Sequence, residues 1–177
     1  MELNIYAIKH FNNTLDLYSS NEKLYSSSWF MEFGKFGCEV FNKEEKIIYS
    51  IYKQFQFWKW RMVYKIKKDN MVLSELISQN NKKTIYSIDV KEITYEIKVH
   101  YKKKKSVYKN GIKIAEFNEA CVSEEYKDKI KLLLLDKKDL EFCFLLFSCL
   151  KVGETERTSN SVLTSQKQLE INDEPWT

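Results

Sequence analysis

Lysine supplies the most concentrated chemistry in this chain. Lys102-Lys103-Lys104-Lys105 forms an unbroken tract, with Lys98 just before it and Lys109 and Lys113 just after. Ammonium groups at that density suit an anion site, for lipid headgroups or nucleic-acid phosphates. Near an anionic membrane each Lys or Arg gains about 1 kcal/mol, and such binding weakens with salt. A solvated hairpin end explains the same tract without a ligand. Lys59, Arg61, Lys65, Lys67 and Lys68 form a second basic patch, most simply read as solvated strand and turn positions. Trp58, Trp60 and Tyr64 lie among them. They could stack on bases, but core packing is the stronger reading of an aromatic stripe.

Catalytic chemistry is sparse. The histidines are His10 and His100, and His100 is expected to face solvent from the polar side of a strand. Neither a Gly-x-Ser-x-Gly elbow nor a phosphate-cradling glycine loop occurs, and four glycines leave little material for one. Asp136 and Asp139 bracket Lys137-Lys138, where turn and helix-cap duty accounts for them. The cysteines Cys38, Cys121, Cys143 and Cys149 contain no C-x-x-C pair. They therefore read as reduced, buried thiols and not as metal ligands, with a disulfide as the alternative. No catalytic residue, metal or cofactor is expected.

These residues need a scaffold, and composition constrains it. The 177 residues are 44% hydrophobic and 15% aromatic, with eleven Tyr, eleven Phe, four Gly and one Pro. That excludes collagen-like, low-complexity and wholly disordered classes, and the aromatic excess favours strands. The net charge of +4 is too modest for a dedicated nucleic-acid binder, so nucleic acid is disfavoured. No apolar run is long enough for a membrane-spanning helix. The first ten residues lack a basic region, a long apolar stretch and a cleavage site, so no secretory signal is read there.

Period-two alternation dominates up to about Asp136. In Tyr95-Glu96-Ile97-Lys98-Val99-His100-Tyr101 the odd positions share one face and Glu96, Lys98 and His100 the other, as in a half-buried antiparallel strand. Gln56–Ile66 reads as a longer strand with Trp58, Trp60, Met62, Tyr64 and Ile66 on one face. Similar runs cover Lys46–Tyr52, Met71–Ile77, Lys83–Val90, Gly111–Phe117 and Lys129–Leu135. Turn residues separate them at hairpin spacing, including Lys68-Asp69-Asn70, Gln79-Asn80-Asn81-Lys82 and the Asn110-Gly111 step. So many short strands argue for a sandwich or barrel.

The pattern then changes abruptly. In Leu140–Leu150 only Glu141 and Ser148 are polar. As a helix this run is about 16 Å long, half the ~30 Å thickness of a bilayer, and apolar on nearly every side. It should be enclosed by protein. A two-faced buried strand is the alternative; the length and an N-cap at Asp139 favour the helix. Beyond Gly153 the chain is polar and aperiodic, and reads as a flexible acidic tail whose Trp176 is not expected to dock.

Many strands followed by one buried hydrophobic helix resembles the tubby C-terminal-like superfamily, which includes tubby domains, phospholipid scramblases and LURP-one-related proteins. The matching stretches are Glu45–Tyr49, Trp58-Lys59-Trp60, Lys98–Tyr101, Ser106–Ala115 and Asp139-Leu140-Glu141 with the apolar run after it. The resemblance implies a mainly β fold. It is a closed antiparallel β-barrel of about twelve strands around a central hydrophobic C-terminal helix (about 139–151), spanning residues 1–152, with 153–177 as the tail. No phosphoinositide-contacting motif of tubby domains matches a specific position, and the scramblases' Pro-rich segment and cysteine cluster are missing. Only the fold carries over. The expected function is a non-enzymatic binding module for anionic phospholipid or phosphoinositide headgroups at a membrane surface. Lys98, Lys102, Lys103, Lys104 and Lys105 are its candidate contacts. The alternative is a cytosolic protein-interaction scaffold with a regulatory acidic tail. Either reading places the chain in the cytoplasm, the first at a membrane periphery. A hydrolase or small-ligand barrel is disfavoured, because a threaded helix leaves no room for substrate.

Overall fold

The computed structural model describes residues 2–119, 129–153 and 169–176. Twelve strands come first: β1 (Asn4–Phe11), β2 (Thr14–Ser19), β3 (Glu22–Glu32), β4 (Lys35–Asn42), β5 (Ile47–Gln56), β6 (Arg61–Lys68), β7 (Met71–Ser78), β8 (Ile85–Val90), β9 (Ile93–His100), β10 (Lys104–Lys109), β11 (Ile112–Asn118) and β12 (Lys129–Leu134). A single α-helix, α1 (Leu140–Lys151), follows. Each strand pairs with its sequence neighbours, and β1 pairs antiparallel with β12, so the barrel closes. Closure leaves no open edge in this sheet.

Alternation drives the strands as the residue pattern indicates. Tyr95 and Ile97 on β9 are buried inward, while the alternating Glu96 and Lys98 face out. Tight turns use the expected residues: Asp69 and Asn70 have φ of 50° and 64°, and Asn110 and Gly111 of 49° and 80°. Paired positive φ values are what a primed two-residue hairpin needs. Register shifts at Leu17/Tyr18, Val40/Phe41, Ile66/Lys67 and Val107/Tyr108 add local twist that helps the sheet curl.

Helix α1 fills the barrel. Phe144, Leu145, Leu146, Phe147 and Cys149 have no exposed surface. Phe147 stacks on Phe117 of β11 with ring centroids 4.3 Å apart, and Phe142 meets Tyr95 at the same separation. The two polar residues of the run are accommodated. Ser148 donates to Ser27 Oγ at 3.0 Å, and Glu141 accepts from Tyr49 Oη at 2.6 Å. Burial, with Glu141 beside it, pushes the Tyr49 hydroxyl pKa up. Cys38, Cys143 and Cys149 are buried free thiols; Cys121 lies outside the described residues.

Three expectations need correction. Gln56–Ile66 is not one strand: a single 3-10 turn at Phe57–Lys59 and a left-handed Trp60 make a hairpin between β5 and β6. Asp139 makes no side-chain cap hydrogen bond to α1, because its carboxylate accepts from Lys109 Nζ at 2.7 Å. Asp136 does the capping one turn earlier, accepting from the Lys138 amide at 3.0 Å. Finally, Leu169–Trp176 lies against the barrel wall, where a loose tail is expected; the rest of the tail, 154–168 and Thr177, lies outside the described residues.

Candidate functional site

In an antiparallel meander, alternate hairpins emerge at the same end of the barrel. The β1–β2, β3–β4, β5–β6, β7–β8 and β9–β10 turns therefore share one rim. Helix α1 terminates at this rim. Lys53 near the end of β5 donates to the Val152 carbonyl at 2.8 Å.

This rim collects the exposed Phe and Trp side chains. Phe11, Phe30, Phe33, Phe36, Phe57, Trp58 and Trp60 all lie on its first three hairpins, with Met31 among them. Phe33 is 95% exposed and Trp58 83%. Scattered exposed apolar residues are ordinary, but a contiguous group marks an interaction surface. The β5–β6 tip is organised as well as exposed. Phe55, Phe57 and Trp60 pack edge to face, with centroids 5.5 to 6.1 Å apart. Arg61 Nε donates to Gln56 Oε1 at 2.7 Å across the base of the tip. Trp60 sits at φ 48°, a left-handed conformation that a bulky side chain adopts only under constraint.

Basic side chains complete the rim. Lys35, Lys59, Arg61, Lys82, Lys83, Lys102 and Lys103 lie on or beside these turns, with Glu32 as the exposed acid among the described turn residues. Lys83 Nζ lies 4.5 Å from the centroid of the Phe55 ring and links the aromatic arc to the lysine arc. The opposite rim differs. Its turns mix Lys43, Lys46, Lys91, Lys137 and Lys138 with Glu44, Glu45, Asp69, Glu92 and Asp136, and its exposed apolar residues are aliphatics such as Ile47, Met71, Val72 and Ile112.

The structure divides the lysine tract. Lys102 and Lys103 form the exposed β9–β10 turn, both at φ 56°. Lys104 begins β10 and is half-buried. Lys105 points inward, where it pairs with Glu119, which also binds Lys151 of α1 at 2.5 Å. Lys98 faces outward from β9, 3.0 Å from Glu96 and over the Tyr108 ring. Burial opposes its charge, but the Glu96 hydrogen bond and carboxylate outweigh that and raise the pKa. Lys102 and Lys103 thus join the rim, whereas Lys105 belongs to the interior and Lys98 to the wall. Trp58 and Trp60, expected in the core, are exposed rim residues, while Tyr64 is buried as expected.

His100 also departs from its expected place. It is 1% exposed, covered by the C-terminal segment, and its Nδ1 lies 3.2 Å from the Glu170 carbonyl oxygen. That oxygen only accepts, so Nδ1 carries the proton. Burial, with Lys113 and Lys98 nearby, lowers the His100 pKa.

No three His, Cys, Asp or Glu side chains among the described residues are placed to hold a metal ion, and no helix there is long and apolar enough to cross a membrane. Comparison with protein-family models, curated proteins and solved structures finds no match.

Proposed function

We propose that this barrel is a non-enzymatic, tubby-like module that docks on an anionic lipid surface through its aromatic and basic rim. The observation that carries the reading is the segregation of the exposed Phe and Trp side chains to one rim, alongside Lys59, Arg61, Lys82, Lys83, Lys102 and Lys103. Aromatic rings prefer the headgroup level of a bilayer. Ammonium and guanidinium groups beside them add electrostatic attraction to anionic lipid. The filled lumen also supports binding at the surface over chemistry inside.

Sedimentation with vesicles tests the reading. The chain should pellet with vesicles containing anionic phospholipid and much less with purely zwitterionic ones, and high salt should weaken the difference. Equal, negligible pelleting with both would overturn it. Pull-down of a protein through the same rim, without vesicle binding, would favour the interaction-scaffold reading.

A further inference from the structure

The segment Leu169–Trp176 is fastened across the outer wall, in a groove formed by outward residues of β9–β11 with Asn80 and Thr84 ahead of β8. The Glu170 amide donates to Val99 O at 3.1 Å, and Glu170 bridges His100 like a short parallel strand. Glu170 Oε1 accepts from Thr84 Oγ1 at 2.7 Å and from Asn80 Nδ2 at 3.3 Å. At the far end, Glu116 Oε2 accepts from Asn172 Nδ2 and from the Trp176 amide, each at 3.1 Å. Lys113 Nζ, paired with Glu116, donates to the Glu174 carbonyl at 2.6 Å. None of these contacts belongs to the barrel's own ladder, so the segment can lift while the twelve strands stay paired. A short segment held by few contacts outside the core opens at lower free energy than core strands do.

This strap seals in the His100 imidazole. His100 stands at the end of β9, opposite Lys104 of β10, yet it is 1% exposed. Its Nδ1 donates to the Glu170 carbonyl at 3.2 Å, and its Nε2 is buried without a hydrogen-bond partner. A neutral imidazole tolerates this, since a bare Nε2 only forgoes one acceptance. An imidazolium does not. Both of its nitrogens carry protons, and in the closed site the Nε2–H has nothing to donate to. The Ser106 hydroxyl, buried on β10, is likewise unpartnered and accepts nothing from His100. Burying an unmet donor together with its charge is costly. The facing charges give little relief. Lys98 of the same strand, Lys104 of β10 and Lys113 of β11 repel an imidazolium, while Glu116 attracts it but already holds Lys113. Glu170 turns its carboxylate to Thr84 and Asn80 instead. Lifting the strap gives Nε2–H water.

We propose that Leu169–Trp176 is an acid-released strap, with His100 as the proton-sensitive group beneath it. In the closed form burial lowers the His100 pKa by more than the Glu170 hydrogen bond raises it. In the open form the imidazole returns toward its ordinary value of about 6.5. Protonation therefore favours opening. The strap's full hold is present above about pH 6.5 and is lost as pH falls toward the closed-state value. Each pKa unit of lowering is about a tenfold shift in the opening equilibrium. Opening also uncovers a positive charge just before the Lys102–Lys103 turn, so the wall beside the rim becomes more basic in acid.

Hydrogen exchange of the full chain reads the strap directly, as protection factors corrected for the intrinsic effect of pH. Between about pH 7.5 and about pH 5, protection of the Glu170 and Trp176 amides should fall at least about fivefold, while β9 and β10 amides keep theirs. His100→Gln retains a donor for the Glu170 carbonyl and does not titrate, so it should hold strap protection level over the same range. A fall of equal size in His100→Gln overturns the proposal. So does unchanged protection in the wild-type chain, an unprotected strap at the higher pH, or a loss that spreads to β9 and β10. Linkage is reciprocal, so the strap must act on the proton as the proton acts on the strap. Glu170→Pro with Asn172→Ala and Trp176→Ala, in the full chain, strips contacts from both ends of the strap. In that variant the His100 imidazole should titrate by NMR at higher pH than in the wild-type chain, with His10 as internal reference. The same midpoint in both chains overturns the proposal as well.

Discussion

Trp58→Ala at the β5–β6 tip is the sharpest probe of the proposed lipid docking. An aromatic side chain buries about 150–250 Å² when it leaves water, and Trp58 is 83% exposed, so most of that area is free to be buried. At about 25 cal/mol per Å², full transfer is worth about 4 kcal/mol and half transfer about 2 kcal/mol. The smaller figure predicts a roughly 30-fold loss of partitioning. Lys59→Ala on the same tip should lose only about 1 kcal/mol, roughly fivefold. The two losses should separate with salt. At about 1 M salt the screening length falls to about 3 Å, so the Lys59 effect should vanish while the Trp58 effect persists. The assay is partitioning onto vesicles doped with anionic phospholipid, with tryptophan quenching by brominated lipid as a depth readout. Trp29 is 3% exposed and serves as an unquenched internal reference. Partitioning of Trp58→Ala within twofold of wild type, or an effect removed by salt, would refute insertion of this tip.

Other expectations concern the rim, the core and the wall. Lys102→Glu with Lys103→Glu should weaken vesicle binding about 30-fold or more, by removing two attractions and adding two repulsions; Lys98→Glu should matter less, because that lysine is already paired on the wall. Phe147→Ala should cost about 3–5 kcal/mol and lower Tm by roughly 6–20 °C in calorimetry, since its ring is fully buried against Phe117. Burial pushes the Cys38 thiol up to about 12 and raises those of Cys143 and Cys149. A thiol reagent at mildly alkaline pH should therefore leave these three unmodified in peptide mapping until denaturant is added. The His100 pKa is lowered in the folded chain, so the unfolded chain takes up the proton first as pH falls. The associated stability is fully present above about pH 6.5 and is lost as pH drops toward the folded value. His100→Gln should flatten that part of a Tm-against-pH profile.

What local pattern dictates was legible in the residues. Strict alternation gives the strands, Asn110-Gly111 and Asp69-Asn70 give turns, and an all-round apolar run favours a buried helix; alternation alone fits a sandwich as well as a barrel, and the expectation of closure around the helix comes from the resemblance. The misread positions are those where alternation continues past the end of a strand. Trp58 and Trp60 keep the parity of Tyr64 and Ile66, and no Gly, Asn or Pro marks the turn, so the tip looks like more strand. The preceding run reads as ending at Tyr52, so Lys53–Phe55 passes for the connection, whereas β5 runs on to Gln56. Parity also divides the lysine tract, which is contiguous in sequence but lies in a turn at Lys102–Lys103 and faces inward at Lys105. The wall groove had no local signal, because Lys113, Glu116 and Glu170 become partners only through the fold.

The filled lumen decides where function can reside. Side chains of Phe144, Leu145 and Phe147 fill the lumen, and the closed ladder leaves an incoming chain little strand edge to extend, the end of β9 being bridged by Glu170. Most of the wall alternates outward charge, with Lys65 and Glu75 paired between β6 and β7 and Asp89 exposed on β8; a lipid-facing barrel carries an apolar band there instead. For the proposed binding function, the contacts would then lie on the rims or the outer wall. The two rims are not equivalent. Both expose apolar atoms, but one combines strained, mutually packed aromatics with an excess of lysine, and the other carries aliphatics among acids and bases of both signs. Strain at Trp60 and exposure of Phe33 and Trp58 gain nothing for the isolated barrel. In the proposed docking they become favourable, because the rim meets a surface that is apolar below and anionic above.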